Sequence, residues 1–442
     1  MLFKREVKAK NQFIVFCIIV PIILFYFSCS KTEKKEITVA LFQAPASESL
    51  IKLIPEFEKE SGIKVNFEIL PYAELKAKVE QQFFAKSGNY DVIMSDCIWI
   101  PSFAERKFLG KVDISVWETG DYDINDLLSA LDDYLGHYPK GGERYGMPFM
   151  SNTHMMAYRS AIVKPVVESL NMNLPGESPE TAWTWEEYLN VAKEIFEKDI
   201  KTDDQKIYGT SLQARAGAWL VYEWYSELFG FEQDENARIT GLPSFGENAA
   251  KAMQYYADLY KYAPKESLTW GHEEETSAIC SGKCAMDATS NVELAANLLD
   301  SSCGDTGTIS FAYPPKGPSG KGSPDMGGYG LLLSGFSKNP KEGSLFILWS
   351  ASKNIHRRIV LEGGSPIRKS EITDEEVLKK YPYLKFYDKL IRDSVYRARI
   401  PKWPELQDVI SRELTAVMKN EKNAEDSAKF VQEWIEKNIK SE

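Results

Sequence analysis

The amino-acid sequence predicts an α/β fold built as two lobes, and three observations carry that expectation. Runs of β-forming residues alternate with runs of helical period from residue 37 to residue 95. The chain of 442 residues is too long for one ordinary hydrophobic core. Its composition, 43% hydrophobic and 26% charged, is that of a globular protein, and no apolar run beyond the N-terminus reaches membrane-spanning length.

The alternation begins with ITVALF (37–42), a strand by β propensity. Leu50, Ile51, Ile54 and Phe57 then recur at helical spacing across 47–61, and Gly62 supplies the stop. KVNFEIL (64–70) reads as a second strand, 73–87 as a helix and DVIMS (91–95) as a third strand. Such βαβ units imply a parallel sheet, which gathers ligands at the carboxyl ends of its strands. The residues just past those ends are Gln43, Pro71–Tyr72 and Asp96–Trp99.

The middle third is more helical. Thr184-Trp185-Glu186-Glu187 is a capping box that opens a helix to about residue 198. Residues 218–229 form an aromatic-rich helix, 248–262 another, and 340–361 a further helix ending in His356, Arg357 and Arg358, charges that suit a helix C-terminus. GPSGKGSP (317–324) lacks Walker spacing and is a solvated turn. The last 40 residues are amphipathic helix, and there is no internal repeat.

Lys4, Arg5, Lys8 and Lys10 precede an uncharged run over 13–27, 15 residues long and short of the ~20 that span a bilayer. This is the pattern of a secretory signal, with Ser28 small at its exit and Cys29 next. It resembles a bacterial lipobox, with Tyr26 where Leu is usual; an uncleaved signal anchor is the alternative. Residues 1–28 are thus expected to be a lipoprotein signal peptide, Cys29 the lipid anchor and 29–36 a tether. Removing the four basic residues and one acidic residue of that segment takes the net charge from −11 to −14. That disfavours nucleic acid, which is bound through contacts of Lys and Arg to phosphate.

Cys97, Cys280, Cys284 and Cys303 remain in the exported body. Export permits disulfides, and either the C-S-G-K-C run closes on itself or Cys303 pairs with one of its members. A zinc site of His272 with Cys280, Cys284 and Cys303 matches no usual spacing, and no metal or cofactor is expected.

Six segments in register resemble the extracellular solute-binding proteins of carbohydrate ABC importers, the maltose-binding-protein-like type. They are the stretch from Tyr72 to Asp113 with its D-x-x-W step, YGMPFMSNTHMMAYRSAIV (145–163), TWEEYLNVAKEI (184–195), SGKCAMDATS (281–290), GGYGLLLS (327–334) and LEGGSPIRKS (361–370). The resemblance implies a periplasmic-binding-protein-like fold, α/β with hinge-linked lobes. The chain would cross near 148, 313 and 363. Lobe one would take 36–147 and 314–362, and lobe two 148–313 and 363–442. It further implies a monomeric, exported protein, held at the outer face of the cytoplasmic membrane or in the periplasm, that captures a sugar or oligosaccharide for membrane permease subunits.

A sugar presents C–H faces, which aromatic rings cover, and a hydroxyl rim, which polar side chains bind. The expected ligand residues are Gln43, Tyr72, Asp96, Trp99 and Asn152, with Trp219, Trp270 and Tyr329 supplying faces, and Ser290 and Gly364 from the fourth and sixth segments. Trp185, Trp349 and Trp434 sit inside amphipathic helices and belong to the core. The family often places Trp where this chain has Ser290, so the ligand is expected to be smaller or more polar than a malto-oligosaccharide. Polyamines, metals and sugar phosphates are the alternatives on the same architecture. The rival class is a secreted carbohydrate-active enzyme. The carboxylate runs 273–275, 186–187 and 132–133 read instead as solvated faces, and no nucleophile elbow or H-E-x-x-H motif is present.

Overall fold

Strands β1 (Glu36–Phe42), β2 (Lys64–Leu70) and β3 (Val92–Asp96) alternate with helices α1 (Pro45–Ser61) and α2 (Tyr72–Ala85), each within two residues of its expected span. The structure, a computed structural model, describes residues 35–439 apart from 117–121, 203–204, 233, 300–302, 304–308 and 319. The signal segment, Cys29 and most of the tether therefore lie outside the described residues. Gly62 ends α1 in the left-handed conformation at φ 70°, its N–H donating to Glu58 O at 3.0 Å. β1 pairs in parallel with β2, from Glu36↔Lys64 to Phe42↔Leu70, and with β3 at Val39↔Val92.

The other strands of the main sheet are β4 (Gly146–Arg159), β5 (Met286–Asn291), β6 (Ile309–Ala312), β7 (Asp325–Leu333) and β8 (Val395–Tyr396). The order is β6-β4-β7-β3-β1-β2, with β5 also on β4 and β8 also on β7. Parallel pairing is confined to β1 with β2 and β3, and to β7 with β8; the links through β4 and β7 are otherwise antiparallel. β4 is buried along all but its last residue. It pairs with β7 from Gly146↔Leu332 to Thr153↔Met326, then with β5 and β6 from His154 onward. The chain crossing expected near 148 falls within this strand.

Helix α3 (Trp185–Glu197) opens on the expected capping box: Thr184 Oγ1 accepts from Glu187 N at 3.1 Å and Glu187 Oε2 from Thr184 N at 2.7 Å. Helices α4 (Ala218–Phe231), α5 (Glu247–Tyr260) and α6 (His272–Cys280) follow. The single helix expected over 340–361 is two, α7 (Pro340–Ser350) and α8 (Lys353–Leu361). Buried Arg368 explains the break, because its Nε takes the Ala351 carbonyl at 2.8 Å. The C-terminal stretch likewise divides, into α9 (Trp403–Met418) and α10 (Ala424–Asn438), with Asn420 at φ 57° between them. Among the described residues no helix is long and apolar enough to cross a membrane.

Cys280 is joined to Cys303, with Cα atoms 4.7 Å apart, which is the second of the expected pairings. Two sulfurs of the imagined zinc set are spent on each other. Cys97 and Cys284 are free and buried.

At Gly146 a Cβ would overlap the backbone carbonyl of Leu331 across the β4–β7 pair. Gly146→Ala should therefore cost about 1–3 kcal/mol, as overpacking does. Urea unfolding should show a lower midpoint with an unchanged slope. A midpoint equal to that of the parent protein would mean that the strands part freely at this position.

Candidate functional site

The carboxyl ends of β1, β2 and β3 deliver Phe42, Tyr72 and Asp96 to one place. Because α2 starts at Tyr72, directly after Pro71, the tyrosine ring is held at the sheet edge, and its hydroxyl donates to Asp96 Oδ2 at 2.7 Å. The other Asp96 oxygen accepts from the Cys97 thiol at 3.1 Å and from Ile98 N at 3.3 Å. Opposite stand Trp219 and Tyr222 from the first turns of α4, three residues apart on one face, and His272 from the first position of α6. Asn152 of β4, Tyr329 of β7 and Arg397 just past β8 complete a narrow inner cavity of about 20 Å³. Tyr72 and Trp219 also line an outer cleft of about 690 Å³, with Gln43, Arg215 and Asn297. Their ring centroids are 5.3 Å apart, so the two rings form the partition between inner cavity and outer cleft.

Aromatic packing fixes these walls. Tyr329 stacks on Phe42 at 5.1 Å and 17° and meets Tyr72 edge-on at 6.4 Å, while Trp219 meets the His272 ring at 4.0 Å. Burial, with the Asp96 charge and hydrogen bond adding to it, pushes the Tyr72 phenol well up, so it stays a donor.

Polar groups face the cavity with capacity to spare. Asn152 Nδ2 donates to Asn291 Oδ1 at 2.9 Å, while Asn152 Oδ1 and the Tyr222 hydroxyl have no partner among the described residues. His272 Nδ1 donates to Glu293 Oε1 at 2.7 Å, which leaves its Nε2 and Glu293 Oε2 unpartnered. Behind them Ser226 Oγ accepts from Asp325 N at 3.1 Å and lies 2.7 Å from His154 Nδ1. Either atom can donate in that contact, and His154 Nε2 has no partner among the described residues. Burial, with the His272 and Arg397 charges adding to it, pushes the His154 imidazole well down, so it is neutral.

Arg397 Nε lies 3.1 Å from Asp325 Oδ2, both side chains buried, and its guanidinium sits 4.7 Å over the Tyr222 ring. Burial works against the Arg397 charge, and Asp325 together with Cys97, Asp96 and Tyr134 more than offsets it. Burial pushes the Asp325 carboxyl up against the pull of Arg397. The two shifts favour opposite states of the pair. The guanidinium stays charged in either case, and its charge 3.1 Å away favours the ionised carboxyl against burial.

The structure thus brings Tyr72, Asp96, Asn152, Trp219 and Tyr329 around the inner cavity and sets Gln43 in the outer cleft. Trp99 is buried behind Tyr72, ring centroids 5.1 Å apart. Trp270 packs in a separate cluster with Ile279, Leu298 and Ile309. Ser290 is buried inside β5, opposite Met155 of β4. Gly364 closes α8, its N–H donating to Ile359 O at 2.9 Å. Sequence reasoning did not find Tyr222, Arg397 or Glu293, and it weighed His272 only for a zinc set that it rejected. Tyr222 carried a signal, the i, i+3 spacing from Trp219. Arg397 carried none, since only the pairing of β8 with β7 brings it in.

A family model described as bacterial extracellular solute-binding protein matches residues 43–354. The chain is 25% identical over 357 residues to a probable ABC transporter-binding protein of Deinococcus radiodurans, covering 77% of this chain and 78% of that one. It is 26% identical over 305 residues to a mannitol-binding protein of Pseudomonas aeruginosa, covering 67% and 64%. An ABC transporter solute-binding protein of Agrobacterium radiobacter, solved with ribitol, superposes with a TM-score of 0.76 at 22% identity, over 90% of this chain and 97% of that one. The fold is accordingly the two-lobed α/β fold with hinge-linked lobes.

Arg397→Met should strand Asp325 as a buried, uncompensated carboxylate and cost about 3–5 kcal/mol of folding stability. Adding Asp325→Asn should recover part of that loss, as a double-mutant cycle in urea would show. Strictly additive costs would mean that the two side chains do not interact.

Proposed function

The chain belongs to the bacterial extracellular solute-binding protein family, matched over residues 43–354, and from that premise we propose that it captures a small polyhydroxylated solute, an acyclic polyol or a monosaccharide, for an ABC importer. The observation that carries this reading is the inner cavity, where aromatic faces surround Asn152 Oδ1, the Tyr222 hydroxyl and His272 Nε2, all buried and unpartnered. Each such group costs about 1–3 kcal/mol until it is paired. With Tyr72 and Trp219 parted so that inner cavity and outer cleft join, solute hydroxyls pair them and C–H faces cover the rings. A mannitol-binding relative and a ribitol-bound structure support the class.

The family consists of solute-binding proteins, and we read this chain as a binding protein without catalysis. Its partner would be the permease subunits of the importer. Lobe one is proposed as 36–147 with 314–362 and lobe two as 148–313 with 363–442, closing on the solute by hinge bending. The exchange of β4 from β7 to β5 and β6 supports a hinge there. We extend the extracellular location of the family to a lipid anchor at Cys29, on the strength of the segment preceding it.

A thermal-shift screen against ribitol, D-mannitol, monosaccharides, maltose, polyamines and amino acids tests the solute class. A polyol or monosaccharide should raise the melting temperature saturably without turnover. Asp96→Ala, which releases Tyr72 from the sheet edge, should weaken that binding by about 1–3 kcal/mol. Stabilisation by polyamines or amino acids alone would overturn the reading of the solute, and product formation would overturn the reading of the class.

Cys29→Ala should leave the protein unprocessed, or released if another cleavage site serves, as intact mass and detergent partitioning would show. Unchanged mass and membrane association would rule out the lipid anchor.

A further inference from the structure

Behind the inner cavity lies a group of acids that solute binding does not use. Glu223 and Glu227 come from α4, Glu275 from α6 and Asp287 from β5, and none is more than 1% exposed. Among the described residues none of the four makes an ion pair with Lys, Arg or His. Glu223 is well served by donors: Gln213 N at 2.9 Å, Thr289 Oγ1 at 2.8 Å and the Tyr256 hydroxyl. Asp287 Oδ1 accepts from Thr289 N at 2.9 Å, but its Oδ2 finds no donor. Neither oxygen of Glu275 or of Glu227 finds one, and the buried side-chain amide of Gln213 is also unpartnered. Yet Glu275 lies within hydrogen-bonding reach of both Glu223 and Asp287. Two carboxylate oxygens can meet there only across a proton.

We propose that Glu223, Glu227, Glu275 and Asp287 form a proton-holding cluster that clamps α4, α6 and β5 together, so that the wall of lobe two behind the solute depends on pH. A proton on Glu275 supplies the missing donor toward Glu223 or Asp287 and removes one of four like charges. The other titratable groups facing the cluster are Tyr188 of α3, Tyr255 and Tyr256 of α5, and Cys284. Burial pushes all four well up, so they remain neutral and offer no counter-charge. Trp219, Tyr222, His272 and Asn291 ride on the same three elements, which ties the clamp to the cavity wall. The inference goes beyond the proposed function and does not rest on which solute is bound.

Burial raises the carboxyl of Glu223 to about 7 and that of Asp287 to about 8. It also raises those of Glu227 and Glu275 well above the ordinary carboxyl range, each with a neighbouring carboxylate charge adding to it. A carboxyl raised by folding binds its proton more tightly in the native state. Its contribution to stability is full below the unfolded value near ~4 and is lost as pH rises through the folded value. The loss therefore falls between mildly acid and mildly alkaline pH.

Melting temperature should be followed from about pH 5 to about pH 9 in the parent protein and in Glu223→Gln/Glu275→Gln/Asp287→Asn. The parent should lose several degrees more than the variant over that range. Amides of α4 and α6, corrected for intrinsic rate, should exchange faster in the parent at the alkaline end and not in the variant. Should the triple variant not fold, infrared spectra of the parent decide. A protonated-carboxyl stretch present at neutral pH and lost on alkalinisation, diminished in Glu227→Gln, supports the cluster. Parallel melting curves for parent and variant, or no protonated carboxyl at neutral pH, would overturn the proposal.

Discussion

Strand β4 exchanges backbone hydrogen bonds with β7 up to Thr153 and with β5 and β6 from His154, so a single extended segment is held on both edges and buried almost throughout. A slip of one residue would turn every side chain to the opposite face. The change of partners is further stitched by side chains. Ser151 Oγ donates to Pro366 O at 2.6 Å, Asn152 bonds Asn291, and His154 is bound to Ser226. The inner cavity lies beside this change of partners, where Asn152 enters its wall. The position of its polar atoms is thereby set by the strand that joins the two halves of the sheet.

What was legible in the sequence follows from the range of the forces involved. The βαβ alternation over residues 37–95 is a local periodic signal, and it placed Tyr72 and Asp96 at the sheet edge without error. The capping box at Thr184 is equally local. Trp219 and Tyr329 were found because their surroundings, an aromatic helix and a pair of glycines, are short-range cues. Trp99 and Trp270 show the limit of that reasoning. Both follow a strand or loop end, as a ligand residue would, but whether an aromatic ring turns inward depends on packing partners far away in sequence. The split at Ala351 was hidden for the same reason, since the carbonyl is claimed by Arg368 from outside the helix.

Ser290 connects two features that are separate in the sequence. In the family a tryptophan often stands at this place as a platform for sugar rings. Here the serine is buried in β5, and its hydroxyl lies against the Asp287 carboxyl. The ring surface around the inner cavity comes from Tyr72, Trp219, Tyr222 and Tyr329.

The molecule handles buried charge in two opposite ways within a few side chains of each other. Asp325 is answered by Arg397, whose guanidinium is always protonated and so keeps a counter-charge beside the carboxyl. The four acids behind α4 have no such partner and can reduce their charge only by taking up protons. A fixed pair suits the base of the cavity, where Arg397 supports the Tyr222 ring that faces the solute. An adjustable group suits the layer behind, where α4 and α6 must stay together while their other faces meet Tyr72 across the cleft. The side of the cavity built on β1, β3, β4 and β7 is held by backbone hydrogen bonds between strands. The opposite wall, carried by two helices and one short strand, depends on protons.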